Sequence, residues 1–245
     1  MKQKIINVEG TTLDDSWFQL VFQCLQHGRK FKIDKGSFAG CTRLELDFIV
    51  VHILRPWERN PTNGMPLIPV IPEHLEIPPP VTEEYLTDYA DYFLSGTKKL
   101  EETYTYGQRL NNYRWNAYRS ENPVAFALDQ VTHVIDTYRD HGYRNNQMVL
   151  QIAEPKDLKL SDPPCLRHID TRIQDGKLHF YPYFRSWDLW SGYPANLAGI
   201  SILQEHMASE IGVEQGEMIC TSKGLHIYDY AISFAEMRCM FECKS

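Results

Sequence analysis

Hydrophobic positions along the chain follow two rhythms. Four stretches carry them at helical spacing. From Thr12 to His27, the residues Leu13, Trp17, Val21, Cys24 and Leu25 share a face, Thr12 with Asp15 resembles a capping pair, and Gly28 offers a stop. A second helix is predicted from Thr82, with Glu83 and Glu84 at the positive end of its dipole and Tyr85, Tyr89 and Tyr92-Phe93 ahead of Gly96. A third covers Ala125 to Arg139, where Leu128, Val131, Val134, Ile135 and Tyr138 form a core-packing stripe. The fourth, Leu197 to Ile211, aligns Ile200, Leu203, Met207 and Ile211. Alternating or wholly apolar runs predict strands at Arg43–Leu54, Gln147–Ala153, Leu166–Ile173, Lys177–Phe184, Glu217–Thr221 and Leu225–Phe234. Gln174-Asp175-Gly176 reads as the turn of a hairpin, and Phe31-Lys32-Ile33 alternates briefly before a turn at Asp34–Ser37.

Residues 55–82 break both rhythms with Pro56, Pro61, Pro66, Pro69, Pro72 and Pro78-Pro79-Pro80. Such a run resists helix and central strand. It is expected to be an irregular surface insertion, not a linker, because the early strand needs later partners to bury its apolar faces. Helices and strands interleave without regular alternation, so the expected fold class is α+β with a mixed sheet. At 245 residues the chain fits one domain, residues 1–245, with a full core.

Charge and cysteine usage narrow the classes. A formal net charge of -7 argues against a general nucleic-acid binder, which needs a basic stripe to release counterions, whereas a small anionic ligand needs only a local positive pocket. The six cysteines show no framework of short spacings, and Cys239-x-x-x-Cys243 lacks a second ligand pair, so neither disulfides nor a metal is expected. Met1 to Ile5 lacks an apolar signal segment and no run reaches membrane-spanning length, which favours a cytoplasmic protein without membrane contact.

The chemistry concentrates between Pro163 and Tyr230. Pro163-Pro164-Cys165 opens this stretch, Arg185-Ser186-Trp187-Asp188 and Gly192-Tyr193-Pro194-Ala195-Asn196 follow, and His226-Ile227-Tyr228 closes it. Taken singly, Cys165 suits a small buried hydrophobe, Arg185 a surface ion pair, Asn196 a helix cap, and His226 and Tyr228 half-buried strand positions. Taken together, in this order, the motifs resemble the thymidylate synthase family of the folate-dependent, cysteine-nucleophile type. Tyr106-Gly107-Gln108-Arg109 and Asp129-Gln130-Val131-Thr132 resemble family segments as well, and the likeness runs from about Tyr104 to Tyr230.

The resemblance implies a thymidylate synthase-like sheet with helices on one side, and a homodimer packed sheet to sheet. It implies Cys165 as the nucleophile that attacks C6 of a uracil ring, activated by Arg185. Arg185 and Ser186 would hold the phosphate, since a guanidinium fork matches phosphate oxygens. Asn196 would read the base: its amide pairs with O4 and N3–H of uracil, a pattern cytosine reverses, so dUMP is the favoured substrate. His226 and Tyr228 would bind the sugar, Asp188 would seat base and folate, and Tyr106 would serve proton removal from C5. The implied one-carbon donor is 5,10-methylene-tetrahydrofolate or a related pterin. Departures are visible too. Where the family carries two consecutive arginines the chain has Asn145-Asn146, with Arg144 one place early, and Lys35 weakly resembles an early phosphate arginine. The family's buried glutamate has no clean match: the expected place reads Tyr89, with Asp88 and Asp91 beside it, and only seventeen residues follow Tyr228, as in shorter archaeal-type members. A hydroxymethylase acting on dUMP, or on dCMP or CMP, is the alternative, and a nucleotide-binding homologue without catalysis the third.

Overall fold

A computed structural model describes residues 2–34, 38–119 and 122–241. Twelve strands are present: β1 (Ile5–Gly10), β2 (Arg29–Lys32), β3 (Thr42–Leu46), β4 (Phe48–Ile53), β5 (Tyr113–Arg119), β6 (Asn122–Leu128), β7 (Val149–Gln151), β8 (Leu166–Gln174), β9 (Lys177–Phe184), β10 (Trp187–Asp188), β11 (Glu214–Ser222) and β12 (Leu225–Tyr228) among the described residues. The α-helices are α1 (Leu13–His27), α2 (Glu83–Leu94), α3 (Tyr106–Asn111), α4 (Gln130–His141), α5 (Gly192–Ile211) and α6 (Asp229–Cys239). The main sheet has the order β1-β4-β11-β9-β8-β7. It is mixed: β1 with β4 and β11 with β9 are parallel, and the other pairs antiparallel. A second sheet runs β10-β12-β3-β2, and β5 with β6 form a separate hairpin. Mixed sheets with helices make the α+β class expected from the sequence.

The period-two alternation of the sheet decides where the core sits. Ile49, Val51, Ile53, Met218, Cys220, Leu178 and Phe180 are completely buried on one face. Helices α1, α4 and α5 lie together against that face, bringing Trp17, Leu20, Leu203 and Met207 into the same apolar cluster. Removing this much apolar surface from water is the main force holding the layers together. Between β8 and β9, Asp175 and Gly176 both have positive φ (52° and 74°), the backbone that a tight two-residue hairpin requires.

Four expected boundaries are corrected. The run Arg43–Leu54 is two strands in different sheets. The chain changes sheet at Asp47, whose carboxylate accepts the Lys4 N–H (2.8 Å) and pairs with Arg29. The apolar run from Leu225 ends as a strand at Tyr228. Asp229 then starts α6, with its carboxylate bound to the Thr42 N–H at 2.8 Å and Ala231 and Ala235 buried one turn apart. The third predicted helix starts late: residues through Leu128 belong to the β5–β6 hairpin, and Asp129 caps α4 by accepting the Thr132 N–H at 3.0 Å. The fourth starts early, at Gly192, so Asn196 lies inside α5 and does not cap it. Residues 55–82 hold no regular element beyond a short 3-10 turn at Glu73–Leu75. They pack along α5, where Arg59 donates to Ser201 Oγ (3.1 Å) and pairs with Glu205 (2.7 Å).

Candidate active site

Cys165 stands half-buried immediately before β8, after two prolines that hold the chain extended. The Arg185 N–H donates to the Cys165 carbonyl (2.9 Å), tying the cysteine to the end of β9. The Arg185 side chain folds back over the same turn, donating to the carbonyls of Pro163 and Pro164 and to Asp162. Arg167 also donates to the Pro164 carbonyl, at 3.0 Å. Burial pushes the Cys165 thiol above its ordinary range, the Arg185 guanidinium pulls it down, Asp162 pushes it up, and Arg167 and Arg43 pull it down again. Arg43 is a site residue that sequence patterns missed. It lies on β3 in register with Tyr228 and pairs with Glu45, a placement that only the pairing of β3 with β12 creates.

Four phenols are raised by burial and, after it, by the charge of Cys165. Tyr106 accepts the N–H of Leu166, the residue after the cysteine, at 3.2 Å. Burial, and then the proximity of Cys165, push the Tyr106 phenol well above its usual value. Tyr104 and Tyr228 are each pushed up to about 12, burial being the main cause and Cys165 a smaller one. Tyr89 is raised further still by burial, with a small contribution from Cys165. Gly107 allows α3 to come this close: a Cβ there would sit 2.1 Å from the Ser95 carbonyl oxygen and 2.6 Å from those of Phe93 and Tyr92. Tyr106 thereby packs edge-on against Phe93 and stacks with the Tyr104 ring.

Asn196 faces the same region from the first turns of α5. Its Nδ2 donates to the Tyr89 hydroxyl (2.6 Å), and its Oδ1 accepts the Trp187 indole N–H (3.0 Å). Tyr89, at the place expected for the family's glutamate, is thus bonded to the amide expected to read the base, while Asp88 and Asp91 are exposed. Asp188 accepts the N–H groups of Trp190 (3.1 Å), Ser191 (3.4 Å) and Gly192 (3.2 Å), satisfying the start of α5. Burial raises its carboxyl, and these backbone bonds oppose the shift. Asp188, Asn196, Tyr89 and Tyr85 line a cleft of about 480 Å³. Tyr89 also walls two adjoining hollows, of about 620 Å³ with Asp88, Tyr92 and Lys99, and about 140 Å³ with Phe93, Tyr104 and Tyr106.

His226 is 2% exposed, and its Nδ1 lies 2.9 Å from the Gly224 carbonyl while Nε2 has no partner. A carbonyl only accepts, so Nδ1 carries the proton and Nε2 is a bare acceptor. Tyr228 meets the His226 ring edge to face at 4.6 Å. Ser186 is half-buried between Arg185 and Trp187. Arg144 is not brought to Cys165: it is exposed and shares a cleft of about 530 Å³ with Asn145, Asn146 and Arg172. Lys35 lies outside the described residues. Among the described residues no group of three or more His, Cys, Asp or Glu could hold a metal ion, and no helix is long and apolar enough to cross a membrane.

Compared with known proteins, the chain falls among one-carbon transferases of nucleotide biosynthesis. The family profile described as thymidylate synthase matches residues 82–240, and the chain belongs to the thymidylate synthase family. A Methanosarcina acetivorans protein named "Putative thymidylate synthase" is 31% identical over 223 residues, 91% of this chain and 89% of that protein. A protein of the same name from Methanosarcina mazei is 30% identical over 91% of this chain and 89% of its own length. One from Methanothermobacter thermautotrophicus is 28% identical over 94% of this chain and 96% of its own.

Proposed function

We propose that the chain, acting as one catalytic domain, transfers a one-carbon unit to C5 of dUMP and reduces it to a methyl group, giving dTMP through a covalent bond to Cys165. The observation that carries the proposal is Tyr89, which touches the amide of Asn196 and stands close enough to Cys165 to feel its charge. This supports a reading in which nucleophile and base reader face one substrate from either side of Tyr89, although Cys165 is not among the residues lining the clefts about Tyr89. A ring whose O4 and N3–H meet Asn196 would present C6 to the sulfur.

Uracil C5 is a poor carbon nucleophile until a thiolate adds at C6 and turns the ring into an enolate. Burial disfavours that thiolate in the free protein, and the guanidiniums of Arg185, Arg167 and Arg43 favour it. A phosphate bound by Arg185 would displace its contact with Asp162 (3.3 Å). The bare Nε2 of His226 fits a sugar hydroxyl donor. Once C5 carries the new carbon, its proton departs towards Tyr106, whose high pKa requires a water or a stronger base as relay. Elimination then returns the Cys165 thiolate. A methylene-tetrahydrofolate or related pterin, when bound, supplies the carbon and the hydride. The tyrosine walls of the clefts about Tyr89 suit a planar pterin, with Tyr85 and Tyr89 stacked 5.9 Å apart.

Mass spectrometry of the protein with 5-fluoro-dUMP and methylene-tetrahydrofolate is the direct test. A ternary adduct on Cys165, absent in Cys165→Ser, is expected; an unmodified protein would reject the mechanism. Product mass from dUMP separates methylation from hydroxymethylation, in which water captures the exocyclic methylene. We also propose a homodimer joined through the sheet face opposite the helices, with Arg144 reaching the neighbouring site. Phe48, Val50, Ile219, Tyr181 and Tyr183 are only half-buried there.

A further inference from the structure

We propose that Trp187 is a specificity-determining residue: its indole N–H locks the Asn196 amide in the one orientation that accepts uracil and refuses cytosine. This deepens the proposed function and rests on Asn196 being the base reader.

Asn196 has two neighbours with different constraints. The Tyr89 hydroxyl can donate or accept, so by itself it tolerates either amide orientation. The indole nitrogen of Trp187 only donates. Its contact with Asn196 at 3.0 Å therefore demands the oxygen on that side and leaves the NH₂ for Tyr89, at 2.6 Å. Each end of the amide keeps one free valence, an N–H on Nδ2 and a lone pair on Oδ1. That pair matches a ring offering a carbonyl beside an N–H, as O4 and N3–H of uracil do. Cytosine offers an amino group beside a bare nitrogen, so donor would meet donor and acceptor would meet acceptor.

An unconstrained asparagine answers such a mismatch by turning its amide over. Here the turn would set Nδ2–H against the indole N–H and leave the buried indole donor without an acceptor. The indole has no room to swing aside. Trp187 is 1% exposed, stacks on Phe184 with centroids 3.8 Å apart and planes 6° apart, and lies 4.6 Å from the Tyr193 ring. Its own backbone N–H is bonded to the Gly224 carbonyl (3.2 Å), and β10 is paired with β12. The base preference thus depends on a side chain buried behind the reader.

The test compares equilibrium binding of dUMP and dCMP, by calorimetry, to the wild type and three variants. Replacing Trp187 alone with its benzothiophene isostere keeps the ring shape and removes only the donor. The dUMP preference is expected to fall about 10- to 100-fold, mostly through tighter dCMP binding. Trp187→Phe should move the ratio in the same direction, with weaker binding of both nucleotides from lost packing. Tyr89→Phe leaves the indole in place and should keep the ratio within a few-fold. An unchanged ratio in the isostere, or a larger loss in Tyr89→Phe, overturns the proposal, as does a wild type that binds both bases equally. Because binding is read without turnover, failure of the lock stays distinct from failure of methyl transfer, which the 5-fluoro-dUMP adduct reports separately.

Discussion

At the scale of the residue, His226 shows how one hydrogen bond and burial set both chemistry and stability. Burial lowers its pKa from an ordinary 6.5 to about 4, against a small upward pull from the Gly224 carbonyl, and Arg43 adds to the lowering. The unfolded chain therefore binds the proton more readily than the folded one between these values. Stability from this group is complete above about pH 6.5 and lost as pH falls towards 4, amounting to about 3 kcal/mol below that. Urea unfolding of the wild type and His226→Gln from pH 7 to 4 measures it. The wild type should lose about 3 kcal/mol more than the variant over that range, and parallel curves would contradict the assignment. The same neutral ring leaves Nε2 a bare acceptor, as the proposed sugar contact requires.

Elements reach the site through a few rigid ties, and the clearest is the clamp on α3. Arg109 is 3% exposed and bonds Asp157 at 2.7 and 3.3 Å, Glu154 at 2.7 Å and the Ile152 carbonyl at 2.9 Å. One guanidinium thus joins the helix carrying Tyr106 to the 3-10 turn Pro155–Lys159, from which the chain runs on to Cys165. Burial works against ionising Asp157, but the Arg109 hydrogen bonds and the Glu154 N–H overcome it and hold its carboxyl low. Asp157→Ala would leave the buried Arg109 with Glu154 as its one carboxylate partner among the described residues and is expected to cost about 2 kcal/mol or more. Replacing both partners, as Arg109→Met with Asp157→Leu, should cost less than that single change, since no half-paired guanidinium remains and Glu154 keeps Lys156 at 2.9 Å. Chemical denaturation of the two variants decides; a more fragile double variant would show that the clamp acts through shape and not charge.

Over the whole molecule, the sheet is covered on one face and half-open on the other. Across that open face, His52 lies 2.6 Å from Glu217, and Ile219 stands in register with His52 and Thr221 with Val50. Mixed apolar and polar groups at intermediate burial suit an isologous contact between two copies. Sedimentation equilibrium should find a dimer, and Ile219→Lys should shift it to monomer while the circular dichroism of the fold is retained. A wild-type monomer at micromolar concentration would remove the proposed path from Arg144 to a neighbouring site.

Local chemistry was enough to read some of this from the sequence. Helix α1 was legible because Leu13 to Leu25 keep helical spacing behind a capping Thr12. The β8–β9 hairpin was legible because Asp175-Gly176 supplies its turn, and the ordered cysteine, arginine, asparagine and histidine motifs pointed to the family. Tertiary structure decided the rest, wherever a residue's role depends on a partner far along the chain. Asp47 and Asp229 end apolar runs because distant backbone N–H groups, of Lys4 and Thr42, are there to receive them. Asn196 could have been a cap or a base reader. It became an interior helix residue once Asp188 took over the N–H groups at the start of α5. Arg43 meets Tyr228 and Tyr89 meets Asn196 only when strands and helices remote in sequence pack together. Propensity and periodicity act over a few residues, whereas the geometry of the site is fixed by burial and by hydrogen bonds that close across the whole fold.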